Sequence, residues 1–128
     1  MSRIIAVPTA AGSAGKTTTV VSLAAIFGAR GRRVLVIDAD PQATATEWLG
    51  VNVDHPIHDI GSVLLNRATL AEATLDVETP GVQLVPASPG LDGDLIEVGK
   101  VLGPEQRLRR ALQDVDADLV LIDCPGAI

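Results

Sequence analysis

The chain contains no tyrosine, one phenylalanine (Phe27), one tryptophan (Trp48) and one cysteine (Cys124). Aromatics are 2% of residues while hydrophobic residues are 47%, so the core has to be aliphatic. Base stacking on aromatic side chains, a common grip on single-stranded nucleic acid, is essentially closed to it. One cysteine excludes an internal disulfide and suits a reducing compartment. Met1-Ser2-Arg3 leads straight into a short apolar strand. The longer apolar stretch of a signal peptide or membrane span is missing, which gives the expectation of a soluble, cytoplasmic protein with no membrane partner. Basic residues number 10 against 16 acidic ones, for a net charge of −6. This segment alone is therefore not expected to hold a nucleic-acid backbone by broad electrostatics. A length of 128 residues fits one domain, 1–128.

What is present is concentrated near the start. Ile4-Ile5-Ala6-Val7 is followed by Thr9-Ala10-Ala11-Gly12-Ser13-Ala14-Gly15-Lys16-Thr17-Thr18 and then by an amphipathic stretch. Gly-Lys-Thr thus sits where a strand hands over to a helix. Glycines let backbone N–H groups approach phosphate oxygens, and a helix N-terminus adds partial positive charge. Gly12, Ser13, Ala14, Gly15, Lys16, Thr17 and Thr18 form the candidate phosphate cradle. Lys16 can reach the outer phosphates and the Thr17 hydroxyl can ligate Mg²⁺. The strict pattern G-x-x-x-x-G-K-[ST] would need glycine at position 10, where Ala10 stands. The competing reading is a glycine-rich turn that merely caps a helix.

The remaining chain reads as alternating strands and helices. Residues 3–7, 34–37, 82–85 and 119–122 are short aliphatic runs, the pattern of strands buried on both faces of a parallel sheet. Between 16 and 30, Val20, Leu23, Ala24 and Phe27 recur at the helical period. Arg30, Arg32 and Arg33 complement the negative end of that helix's dipole. Short helices are expected over 43–49, 58–66 and 69–75, with a loop at 52–56 and a longer helix over 104–115 that opens on Pro104. Residues 91–101 fit a helix or a loop. This alternation predicts an α/β fold, a P-loop-like three-layer αβα arrangement with a mostly parallel sheet and right-handed crossovers. Ligands of such sheets bind at the carboxyl ends of the strands. Three of the four strands end in the phosphate loop, Asp38/Asp40 and Asp123.

Those carboxylates suit phosphoryl chemistry, which needs a phosphate cradle, a metal and a group that orients water. Asp123 follows Leu-Val-Leu-Ile, the context of a metal-side aspartate; alternatively it caps the next turn. Asp40 lies just beyond a strand in what reads as a mobile loop, and is the candidate for orienting water. The alternative is an Asx-turn before Pro41. Asp38 divides evenly between supporting that site and simple capping. Gln42 fits a water contact or a solvated loop. His55 and His58 lack the further ligands of a metal site. Cys124 has no basic neighbour and reads as a small buried residue. Arg107, Arg109 and Arg110 form a basic cluster, which a solvated helix face explains more simply than a partner surface.

Gly12 to Thr19, Arg33 to Gln42 and Leu121 to Pro125 together resemble, in order and spacing, the ParA partition ATPases. These belong to the deviant Walker A class of P-loop proteins, beside MinD-like and nitrogenase-iron-protein-like members. Asp38-Ala39-Asp40-Pro41-Gln42 favours ParA within that class. The resemblance implies ATP and Mg²⁺ as ligands, ADP as product, and a nucleotide-dependent homodimer. It also implies a ParB-type centromere-binding partner, and non-specific DNA binding that this acidic segment does not itself support. By resemblance Lys16 is the phosphate lysine, Thr17 the Mg²⁺ ligand, Asp40 the catalytic carboxylate and Asp123 the metal-side carboxylate, directly or through water.

Two departures stand out. The family motif K-G-G-x-G-K-[ST] carries a signature lysine that reaches the neighbouring subunit's nucleotide; here that position is Ala11, and the second glycine is Ser13. ParA proteins also continue well past the Asp-Cys-Pro strand, so the sequence looks like an N-terminal portion. The last strand, 119–122, is expected to present an unprotected edge. Ala11 motivates an alternative reading, a catalytically weak or inactive ParA-like module that binds a ParA- or ParB-type partner. A small-molecule kinase is a weaker third reading, because the middle of the chain lacks a basic substrate lid.

Overall fold

A computed structural model describes residues 3–8, 13–52, 58–88, 91, 93–94, 104–113 and 115–124. Five strands form one sheet: β1 (Arg3–Pro8), β2 (Val34–Asp38), β3 (Leu75–Asp76), β4 (Val82–Val85) and β5 (Leu119–Cys124). Helices α1 (Ser13–Ala29), α2 (Thr44–Trp48), α3 (Ile60–Leu64), α4 (Leu70–Ala73) and α5 (Pro104–Ala111) pack around it. The strand order is β1-β5-β2-β4-β3. β1, β5, β2 and β4 run parallel, while β3 is a short antiparallel edge on β4. The mostly parallel α/β expectation holds.

Both faces of the sheet are covered because successive residues of a strand point to opposite sides. In β2 and β5, Val34, Val36, Leu119 and Leu121 face the α1 side, where they meet Val20 and Ala24. Leu35, Ile37, Val120 and Ile122 face the opposite layer, with Ile60, Val63, Leu64, Leu70 and Leu112. All five residues of β2 are buried, which is why the run reads as continuously aliphatic. Along α1, Thr17, Val20, Ala24 and Gly28 form one buried line. This places Thr17 against the sheet and not towards solvent.

Several boundaries differ from the sequence reading. β5 lies in the middle of the sheet between β1 and β2, so the last strand is not the exposed edge that chain order suggests. A parallel sheet needs crossovers, and a late strand can be inserted between two early ones. Among the described residues, β1 pairs on one side only. α1 opens at Ser13, three residues before the expected start. The segment 69–75 is helical only as far as Ala73; Leu75 and Asp76 turn into β3, where Leu75 pairs with Leu84. α5 stops at Ala111. Arg33 does not serve the α1 dipole: its guanidinium lies 2.9 Å from Asp116 and 3.5 Å from Asp118. Its N–H also donates to Asp118, tying the start of β2 to the start of β5.

Two capping boxes went unread in the sequence. Thr69 accepts from the Glu72 N–H while Glu72 accepts from the Thr69 N–H. Asp59 and Ser62 do the same at the start of α3. Both follow the spacing of a side-chain cap and a return bond three residues later. Among the described residues no helix is long and apolar enough to cross a membrane.

Candidate functional site

The carboxyl ends of β1, β5 and β2 lie side by side. Register pairs Val7 with Asp123 and Asp38 with Asp123, so two aspartates stand at the same level on neighbouring strands. α1 begins just past β1, and Ser13, Ala14, Gly15 and Lys16 make up its opening turn. The first N–H groups of a helix have no partner inside it and carry the positive end of the dipole. Ala10, Ala11 and Gly12 fall outside the described residues.

Thr17 is 1% exposed, and its Oγ1 donates to Oδ2 of Asp123 at 3.3 Å. This bond joins residues 106 positions apart in the chain. It joins the two residues that the sequence singled out independently for metal binding. Thr18 is exposed on the next position of the helix.

Asp40 is 7% exposed, more deeply buried than its place just beyond a strand suggests. Its N–H donates to Oδ1 of Asp38 at 3.1 Å, and its own Oδ1 accepts from the Gln42 N–H at 3.0 Å. The second bond is the Asx-turn weighed as the alternative. Gln42 itself is exposed.

Asp38 is fully buried and accepts three hydrogen bonds, from the Asp40 N–H, the Thr46 N–H and the Thr46 hydroxyl at 2.7 Å. Thr46 Oγ1 in turn accepts from the Ala87 N–H just beyond β4. Thr46 was missed in the sequence. Its signal is faint, a β-branched polar residue on a helix face that otherwise buries alanine. Burial pushes the Asp38 carboxyl up to about 6; the Thr46 and Asp40 hydrogen bonds oppose that rise, and the nearby Asp123 charge adds to it. The unfolded chain gives up this proton near 3.8. Between the two values the folded state holds the extra proton, so this group's contribution to stability falls as pH rises from about 4 to about 6, by up to about 3 kcal/mol. Urea unfolding without Mg²⁺ at both ends of that window is expected to show the decline in the wild type. It should be largely absent in Asp38→Asn, and equal slopes would refute the assignment.

Asp38, Asp40 and Asp123 are thus three carboxylates, each less than a tenth exposed, at one edge of the sheet. Negative charge withdrawn from water in this way is stabilised by a cation. No group of three or more His, Cys, Asp or Glu side chains forms an all-protein metal cage among the described residues. Mg²⁺ takes one or two protein ligands and completes its octahedron with phosphate oxygens and water. The Thr17–Asp123 pair beside a helix N-terminus fits a magnesium-bearing polyphosphate. His55 lies outside the described residues and His58 is half-buried ahead of α3. Cys124 pairs with Pro8 through the backbone at the end of β5.

A family model described as an AAA domain matches residues 2–128. The chain belongs to this family. The chromosome partitioning protein ParA of Caulobacter vibrioides is 37% identical over 98% of this chain and 49% of its own length. The chromosome-partitioning ATPase Soj of Thermus thermophilus is 39% identical over 98% of this chain and 47% of its own length. Among solved structures, a cobyrinic acid a,c-diamide synthase from Mycobacterium smegmatis with bound ATP analogue and magnesium superposes with a TM-score of 0.92. It is 37% identical over 99% of this chain and 52% of that one. The chain therefore spans about half the length of the relatives it matches. The likeness of this chain to P-loop ATPases agrees with the parallel sheet and with the strand-to-helix position of its Gly-Lys-Thr.

Proposed function

We propose that this chain is the nucleotide-binding domain, 1–128, of a ParA-type partition ATPase, acting in the cytoplasm or on the nucleoid. The single observation that carries this reading is the Thr17–Asp123 bond, which sets a hydroxyl and a strand-end carboxylate together beside the opening turn of α1. In this reading the amides of Ser13 to Lys16 and the Gly12 loop receive the phosphates. Lys16 neutralises their charge, Thr17 ligates Mg²⁺ and Asp123 orients that ligand, directly or through water. Asp40 positions the attacking water, and Asp38 with Thr46 fixes the backbone that carries Asp40. Bound Mg²⁺ supplies charge neutralisation on the phosphate oxygens. The resemblance to ParA proteins supports a nucleotide-dependent homodimer and a ParB-type partner that stimulates turnover. The presence of partition proteins among the relatives supports segregation of DNA as the process served. Non-specific DNA binding has no support in this acidic segment.

Asp123→Asn tests the reading. The swap keeps the shape and removes the charge, so the fold is expected to survive while the Mg²⁺ concentration for half-maximal nucleotide binding rises by about 10–100-fold. Titration followed by the lone Trp48, half-exposed on α2, provides the signal. An unchanged Mg²⁺ requirement would remove Asp123 from the site. Ala11 supports a second reading, an interaction module that binds nucleotide without turning it over. Ala11→Lys separates the two: a large gain in ATP turnover marks a site intact apart from that cation, and no gain marks the module.

A further inference from the structure

We propose that Ser88, just past β4, is a positioning residue for Asp40 and acts through a buried chain of hydrogen bonds that runs by way of Thr46 and Asp38. The proposal rests on the reading that Asp40 positions the attacking water. It extends the support of that residue from α2 outward to the start of α3.

The chain of bonds begins at the α3 cap. Ser88 Oγ donates to Oδ2 of Asp59, the residue that caps α3. The other oxygen of Asp59 accepts from the Ser62 N–H at 2.9 Å and from the Ser62 hydroxyl at 3.0 Å, so both ends of this carboxylate are held. The Ile60 N–H donates to the Pro86 carbonyl at 2.8 Å. Two bonds, one on either side of Ala87, therefore pin the exit of β4 to the first residues of α3. The Ala87 N–H donates to Thr46 Oγ1 at 3.0 Å. A hydroxyl has one proton to give and lone pairs with which to accept. Thr46 gives its proton to Oδ2 of Asp38 at 2.7 Å, and the other oxygen of Asp38 accepts from the Asp40 N–H at 3.1 Å.

Ile37 and Val85 are the last paired residues of β2 and β4, and beyond them the two strand exits stay joined through Thr46 Oγ1. Asp38, Thr46 and Ala87 are 0% exposed and Asp59 is 7% exposed. Water cannot easily replace a lost member of such a chain, so each loss leaves a buried partner unpaired and shifts the next one. No proton travels along these bonds. They set where the backbone of Asp40 sits, and a carboxylate displaced by a fraction of an ångström orients water less well.

The test uses the full chain with Thr46→Val, Thr46→Ser, Ser88→Ala and the double variant Thr46→Val/Ser88→Ala. Thr69→Ala is the control, because it removes a cap on α4 that lies outside the chain of bonds. Amide hydrogen exchange by NMR, without nucleotide, reads the Asp40 N–H directly. Exchange is expected to rise about tenfold in Thr46→Val and severalfold in Ser88→Ala. It should stay as wild type in Thr46→Ser, which keeps the hydroxyl, and in Thr69→Ala. ATP turnover with saturating Mg²⁺ should fall about tenfold or more in Thr46→Val and about threefold in Ser88→Ala, in kcat and not in the KM for ATP. Because Ser88 acts through Thr46, the double variant should be no slower than Thr46→Val alone. Ser88 is half-buried, so Ser88→Ala decides the matter even if Thr46→Val fails to fold. An unchanged Asp40 amide in Ser88→Ala, an equal rise in Thr69→Ala, or losses that multiply in the double variant overturns the proposal. If kcat is unmoved in Ser88→Ala while Asp40→Asn abolishes turnover, the proposal fails and the reading of Asp40 stands. If Asp40→Asn turns over ATP as wild type does, that reading fails and the proposal with it.

Discussion

Lys16→Ala is expected to lower ATP turnover by roughly 10²–10³-fold, the scale for removing one preorganised charge-stabilising group, while weakening nucleotide binding much less. The asymmetry follows from where Lys16 lies. It belongs to the opening turn of α1, whose backbone amides remain when the side chain is removed. Those amides and the dipole continue to hold phosphate in the ground state. The cation contributes most when negative charge shifts between phosphate oxygens, so its loss falls mainly on the chemical step. Thr17 is the neighbouring residue and is buried against Asp123, so the substitution should not disturb the Thr17–Asp123 bond. Single-turnover hydrolysis and equilibrium nucleotide binding, measured on the same preparation, check this. If turnover survives within threefold, Lys16 does not act on the phosphates and the proposed function loses its main cation.

Gly28→Val is expected to cost about 3 kcal/mol or more and to lower the melting temperature by roughly 10 °C or more. Gly28 is buried near the end of α1, and a Cβ placed there would lie 2.1 Å from the carbonyl oxygen of Pro80. Val82 Cγ2 would be 3.2 Å away. A backbone carbonyl in the Pro80–Gly81 turn cannot swing aside as a flexible side chain would. Gly81 itself has φ of +75°, and its own Cβ would meet the Cα of Gly28 at 2.8 Å. The two glycines therefore let the end of α1 touch the turn before β4. Replacing glycine within a helix gains up to about 1 kcal/mol in propensity, and the overlap exceeds that gain. Gly50→Ala is the control: φ is +86° but nothing lies within 4 Å, so only backbone strain of about 1 kcal/mol is expected. Thermal unfolding of both variants decides the matter; similar melting temperatures would show that the α1 contact is not tight.

Much of the fold was legible because burial on both faces leaves uninterrupted aliphatic runs. Val34 to Ile37 and Leu119 to Ile122 read as parallel strands buried on both faces, although the place of the second within the sheet was not legible. β3 was not legible: its two residues, Leu75 and Asp76, follow a capped helical turn and are extended only because β4 offers them a partner. The start of α1 was missed because the glycine-rich segment reads as a loop until the strand before it and the sheet beneath it fix its direction. The burial of Asp40 was not legible, because Pro41 and Gln42 follow it as in a surface turn. Its burial depends on Asp38 and on α2 folding back, which local pattern does not encode. Thr46 was invisible for the same reason.

Residue chemistry alone determined that a Gly-Lys-Thr lies at a strand-to-helix junction, that aspartates end two aliphatic runs, and that the core is aliphatic. Those are properties of neighbours along the chain. The tertiary structure alone decided that β5 enters between β1 and β2, and so brings Asp123 within 3.3 Å of Thr17 and level with Asp38. Strand order depends on how layers of side chains pack between helices and sheet, and that packing is settled by contacts between residues far apart in sequence.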